Sequence, residues 1–247
     1  MKPLWQVWST KLSSYRYRLT PAMRLASYQV LNRLPASYLK AILGYEGVRM
    51  ANDAALERAI ADMKGITPYA VASKSGADYD GKRFKVPFFN RVFLVHYPEI
   101  KFIEEGKPAS VPQYIQIILL HYLLQARGVA IADEWIAYRQ IPGGKLFEGR
   151  FFQMAIAPLL RAFDNNVEGF KKAGLALGGI PITRTGDAAF KFMALPKIPM
   201  ACIFHQGEEG IPSSINILFD ASASEYLPTE DLSLVGVYLV NAMRKAR

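Results

Sequence analysis

The run VPQYIQIILLHYLLQARG, residues 111–128, constrains the fold more than any other stretch. Between Tyr114 and Leu124 every residue except Gln116 and His121 is apolar or aromatic. A helix that is apolar on nearly all sides needs cover on all sides, so it must lie at the centre of the molecule. It is too short for the ~18–20 residues of a membrane span. Gly128 is a good C-terminal stop. His121 falls in mid-helix with no second histidine three or four residues away, so metal-ligand spacing is absent. The pattern predicts a neutral core histidine with one hydrogen-bond partner.

A chain of 247 residues with 51% apolar content is long enough to surround such a helix without covalent staples. Cys202 is the one cysteine. It excludes an intramolecular disulfide and any four-cysteine cluster or metal site built from this chain alone. A reducing, cytoplasmic setting is the expectation that follows. The first residues, MKPLWQVWSTKLSSYRYRL, lack the apolar core and small-residue cleavage pattern of a signal peptide.

The net charge of +9 is unevenly spread. Residues 1–50 carry eight Lys/Arg against Glu46 alone, whereas residues 201–247 carry three Lys/Arg against six acids. The first fifty residues also hold Trp5, Trp8 and several tyrosines, and 21–34 has apolar residues at helical spacing up to Pro35. They read as a basic, aromatic, helical N-terminal arm, with a single α+β domain over 51–247. Nucleic acid or an anionic membrane surface would be gripped only through residues 1–50. Packing on the body, on a partner or on a second copy is the alternative use of the arm.

Along the body, NDAALERAIADMKGI (52–66) reads as a helix with Asn52 or Asp53 as its cap. KRFKVPFFNRVFLVHYPEIKFI (82–103) reads as antiparallel strands with a turn near Asn90, a break at Pro98 and an edge or bulge at Pro87. His96 falls in one of them. EWIAYRQIPGGKLFEGRFF (134–152) reads as a strand, a Gly143-Gly144 turn and a second strand, with no helix N-terminus after the glycines. Residues 153–163 and 166–174 read as helices, with Pro158 kinking or starting the first. GLALGGIP (174–181) reads as a flexible hinge. Two strands bent at Pro196 and Pro199 follow (187–205), then INILFD (215–220) and a closing helix over 230–246. The fold class expected is α+β with a mostly antiparallel sheet packed with helices.

The acids of the last third invite a functional reading. Thr229 suits an N-cap, and Glu230 and Asp231 suit the first helical turn, where each is worth ~0.3–1 kcal/mol against the helix dipole. Glu208 and Glu209 sit in a loop. Asp220 ends a strand before ASAS and can organise that loop by accepting its N–H groups, or face a cleft. Asp187 stands at the start of a strand with the same two options. If strand ends bring them together, Asp187, His205, Asp220, Tyr226 and Glu230 would line a ligand-binding cleft. Alternatively Asp187 and Asp220 would act as paired carboxylates, with His205 carrying a proton. No nucleophile elbow, phosphate loop or paired histidine supports catalysis, so a module that is not an enzyme is the expectation.

IQIILLHYLLQARG (115–128) with EWIAYRQIPGG (134–144), and GDAAFKFMALPKIPMACIF (186–204) with INILFDASASEYLPTEDL (215–232), resemble the domain-of-unknown-function family numbered 3786, of bacteria and archaea, many of them anaerobes. The likeness covers about residues 52–245, and ILFD followed by YLPTEDL is its most specific part. The resemblance implies an accessory or binding role near anaerobic redox or corrinoid metabolism, with a small molecule, cofactor or partner protein as ligand. It implies no catalytic residues. Some relatives carry an iron–sulfur domain in front of this module. With Cys202 alone, this chain holds no iron–sulfur cluster in cis.

Overall fold

The computed structural model of the protein describes residues 53–247, of which 55–247 form one compact unit. The N-terminal arm and the Asn52 cap lie outside the described residues.

The apolar run becomes α3, after α1 (53–63) and α2 (Pro68–Ser75). α3 spans Gln113–Gln125 and buries Ile115, Ile117, Ile118, Leu119, Leu120, Tyr122 and Leu123. Each such side chain gains about 1.5–3 kcal/mol on leaving water, which is why the helix is central. Its interior polar residues are matched: Gln116 Nε2 donates to the Val111 carbonyl at 2.7 Å, and His121 meets Asp231. Tyr122 donates its hydroxyl to the Ser75 carbonyl and accepts the Lys197 N–H at 3.0 Å.

Two antiparallel sheets flank this core. The first is β1 (Asp78–Tyr79), β2 (Arg83–Phe88), β3 (Arg91–His96) and β4 (Phe102–Glu104), in that order. β2 alternates exposed and buried, with Phe84, Val86 and Phe88 inward. Pro87 is tolerated because β1 pairs only with Phe84 and Lys85, leaving the other side of Pro87 beyond its reach. The second sheet has the order β5-β9-β8-β7-β6, from β5 (Trp135–Ala137), β6 (Ile180–Pro181), β7 (Ala188–Leu195), β8 (Ile198–His205) and β9 (Ser214–Asp220). Cys202 is fully buried in its central strand, paired with Phe190 and Ile217. The hairpin tip of the first sheet joins the second: Phe89 N–H donates to the Ala194 carbonyl at 3.0 Å. The fold is α+β, as the pattern of elements indicates.

The segment after β5 differs from the strand–turn–strand expected of it. Tyr138–Gln140 is a single 3₁₀ turn and α4 occupies Gly144–Phe151. A helix therefore does begin at Gly144. Gly144 is required by close approach, since a Cβ there would stand 1.9 Å from the Tyr138 carbonyl oxygen. Phe151 packs on Tyr138 with ring centroids 4.3 Å apart. Pro158 stands in the first turn of the helix that follows and so marks its start, one of the two roles expected of it. The chain widens into a π turn over Phe152–Ile156, with the Ala157 N–H reaching the Phe152 carbonyl, before α5 (Ala157–Phe163) resumes. The wider turn accommodates a ring that would otherwise meet the carbonyl four residues back.

The hinge expected at 174–181 is a packed junction after α6 (Val167–Ala176). A Cβ on Gly174 would meet Phe190 at 2.5 Å, and one on Gly179 would meet Phe192 at 2.6 Å. The last helix, α7, spans Thr229–Lys245 with Leu232, Val235, Leu239 and Met243 buried. Thr229 is its first residue rather than its cap, which is Pro228; the Thr229 hydroxyl donates to the Pro142 carbonyl at 2.6 Å.

Candidate functional site

The five side chains expected to share a cleft are divided between two ends of the second sheet. Asp187 and His205 lie at the same end: the Asp187 N–H donates to the Phe204 carbonyl, and its carboxylate accepts the Gln206 N–H at 2.7 Å. Both are exposed. His205 pairs with Ser214, the first residue of β9, whereas Asp220 is the last. Six strand rises separate them, about 20 Å. The paired-carboxylate arrangement of Asp187 with Asp220 is therefore corrected, because antiparallel register sends the two acids to opposite ends.

Asp220 has a different occupation. It is 1% exposed and accepts the N–H groups of Ala132 (2.9 Å), Asp133 (2.8 Å) and Ser222 (3.0 Å), with the Ser222 hydroxyl at 2.6 Å. Burial would raise its pKa, but the bonds from Ser222, Ala132 and Asp133 outweigh that and hold the carboxyl below its ordinary value. Tyr226 is buried and donates its hydroxyl to the Val129 carbonyl. Together they fasten the 129–133 loop to the segment between β9 and α7. Glu230 is exposed in the first turn of α7. Asp231, read as a dipole partner, also holds His121, with Nδ1 and Oδ2 2.6 Å apart. Among the described residues, no group of three or more His, Cys, Asp or Glu could hold a metal ion.

A concavity lies elsewhere, between α5 and the C-terminal part of α7. It encloses about 440 Å³ and is lined by Pro158, Arg161, Ala162, Asn241, Arg244, Lys245 and Arg247. Arg161 stands in the last turn of α5, and Arg244 and Lys245 in the last turn of α7. Helix ends attract cations, which accounts for part of this charge. Two helix C-termini supply about −1 elementary charge between them. Four cationic side chains supply +4, more than the two helix ends account for. Among the described residues no ion pair joins any of the four to a carboxylate. Arg244-Lys245-Arg247 was visible in the sequence as a basic helix end; nothing in it showed that Arg161 would join them.

The chain's similarities can be set against this geometry. Residues 67–242 match the model of a family described as Domain of unknown function (DUF3786). The chain belongs to that family. The DUF3786 segment holds both sheets, the Asp220 latch and the His121–Asp231 pair, while Arg244, Lys245 and Arg247 follow its last matched residue. No curated protein and no solved structure matches the chain.

Proposed function

We propose that this DUF3786 chain is a binding module that takes a small anionic molecule in the groove between α5 and α7, without catalysis of its own. The observation that carries this reading is that Arg161, Arg244, Lys245 and Arg247 line one concavity with no paired carboxylate among the described residues. The volume, about 440 Å³, falls in the range of small-molecule sites. The non-catalytic reading draws support from the use of Asp220 as a backbone latch and its distance from Asp187. An accessory place near anaerobic redox or corrinoid metabolism rests on the family resemblance and on no residue of the groove.

Calorimetric titration of the full chain with sulfate, phosphate and pyrophosphate at low ionic strength tests the reading. Saturable binding is expected with at least one of them, weakened ten-fold or more in an Arg161→Ala/Arg244→Ala variant whose melting temperature is unchanged. Equal binding by that variant would assign the anion to another surface, the basic residues 1–50 first, and would end the proposal.

A further inference from the structure

The groove's donors also select among anions. A carboxylate carries one charge on two oxygens, and a single guanidinium fork satisfies it. The groove offers three guanidinium groups, one ammonium and the Asn241 amide around one hollow. That supply of donors matches a group with about two negative charges and three peripheral oxygens, the terminal phosphate of a monoester. The hollow is larger than a phosphate alone requires, and Pro158 and Ala162 give it a small apolar wall against which an organic body can rest. The four cations line one hollow of bounded volume. A nucleic-acid backbone, with one charge per phosphate at regular intervals, asks for a stripe.

Resting on the anion-binding reading, we infer that the ligand class of this groove is a small phosphate monoester, bound as its dianion by Arg161, Arg244, Lys245 and Arg247.

Charge state makes the inference testable. The second ionisation of a monoester falls near pH 6, so its dianion fraction rises about ten-fold between pH 5 and pH 7. A cyclic diester keeps one charge throughout. The experiment compares adenosine 5′-monophosphate, 3′,5′-cyclic adenosine monophosphate, adenosine, succinate, vesicles containing phosphatidic acid and a short single-stranded RNA, each titrated into the full chain at pH 5 and pH 7. The expected result is tightest binding of the monophosphate at pH 7, several-fold weaker at pH 5. Cyclic nucleotide should bind ten-fold or more weakly and show no such change. Adenosine should not bind, and the Arg161→Ala/Arg244→Ala variant should lose the pH dependence. Succinate equal to the monophosphate would overturn the phosphate class while leaving anion binding intact. Tighter binding of RNA or vesicles, lost in the same variant, would overturn the small-molecule source. Absence of binding by every anion would remove both this inference and the reading beneath it.

Discussion

The Nδ1 of His121, in the middle of α3, lies 2.6 Å from Oδ2 of Asp231 in the first turn of α7. The pair ties the central helix to the last one. Burial alone would lower the imidazole pKa, but the hydrogen bond it donates to Asp231 and the charge of that carboxylate, with help from Asp62, raise it above the ordinary value. A raised folded-state pKa gives stability that is fully present below about pH 6.5 and is lost as pH rises through the folded value. Thermal melts of the wild type and Asp231→Asn from pH 5.5 to 8.5 should show a gap of roughly 1–3 kcal/mol at the acid end that narrows upward. A gap of constant size would mean that Asp231 does not shift the imidazole's titration.

Asp220 should be the costliest single acid to remove. Asp220→Ala leaves the buried N–H of Ser222 and the part-buried N–H groups of Ala132 and Asp133 without their acceptor. A loss of about 3 kcal/mol or more is expected in urea unfolding. Asp187→Ala removes one exposed contact, to the Gln206 N–H, and should cost under about 1 kcal/mol. If the two variants unfold alike, the latch is not what Asp220 is for.

Two glycines of one helix should respond in opposite directions. Gly144→Ala drives a Cβ toward the Tyr138 carbonyl and should destabilise by about 2–3 kcal/mol. Gly149→Ala adds a methyl where no atom lies within 4 Å and should stabilise by about 0.5–1 kcal/mol, through the lower chain entropy of alanine in a helix. Denaturant midpoints moving the same way would contradict the packing around the 3₁₀ turn.

Glu104 is 6% exposed and meets both Arg91 and Lys107. The hydrogen bond from the Arg91 guanidinium outweighs burial and holds its carboxyl at about 2, against an ordinary 4.5. A depressed folded-state pKa gives stability that is present above 4.5 and lost as pH falls toward 2, about 3 kcal/mol in all. Glu104→Gln should therefore lower stability at pH 7 and leave it nearly unchanged at pH 2. Acid titration followed by tryptophan fluorescence measures this, and equal losses at both pH values would count against the ion pair.

Where sequence and structure agree, the signal was periodic. The apolar run gave α3 its central position, and the alternation along INILFD matches the buried Ile215, Ile217 and Phe219 of β9. The segment 144–151 escaped because its helix draws little on local pattern. Leu146 is 84% exposed, and Phe151 is fixed by Tyr138 and by the close approach of Gly236. A glycine pair between apolar residues then imitates a hairpin turn. Polar site residues are harder still. Asp187 and Asp220 look equivalent at strand ends until antiparallel register assigns each end. Arg161 and Arg244 line one hollow from two helices far apart in the sequence, which no local pattern signals.

Cys202 sits in the middle strand of a five-stranded sheet with no exposed surface, and burial pushes its thiol pKa up. A thiolate reagent meets it only when the strands on either side separate. With no second sulfhydryl in the chain to confuse the signal, the speed of alkylation in native buffer becomes a clock for the opening of that sheet.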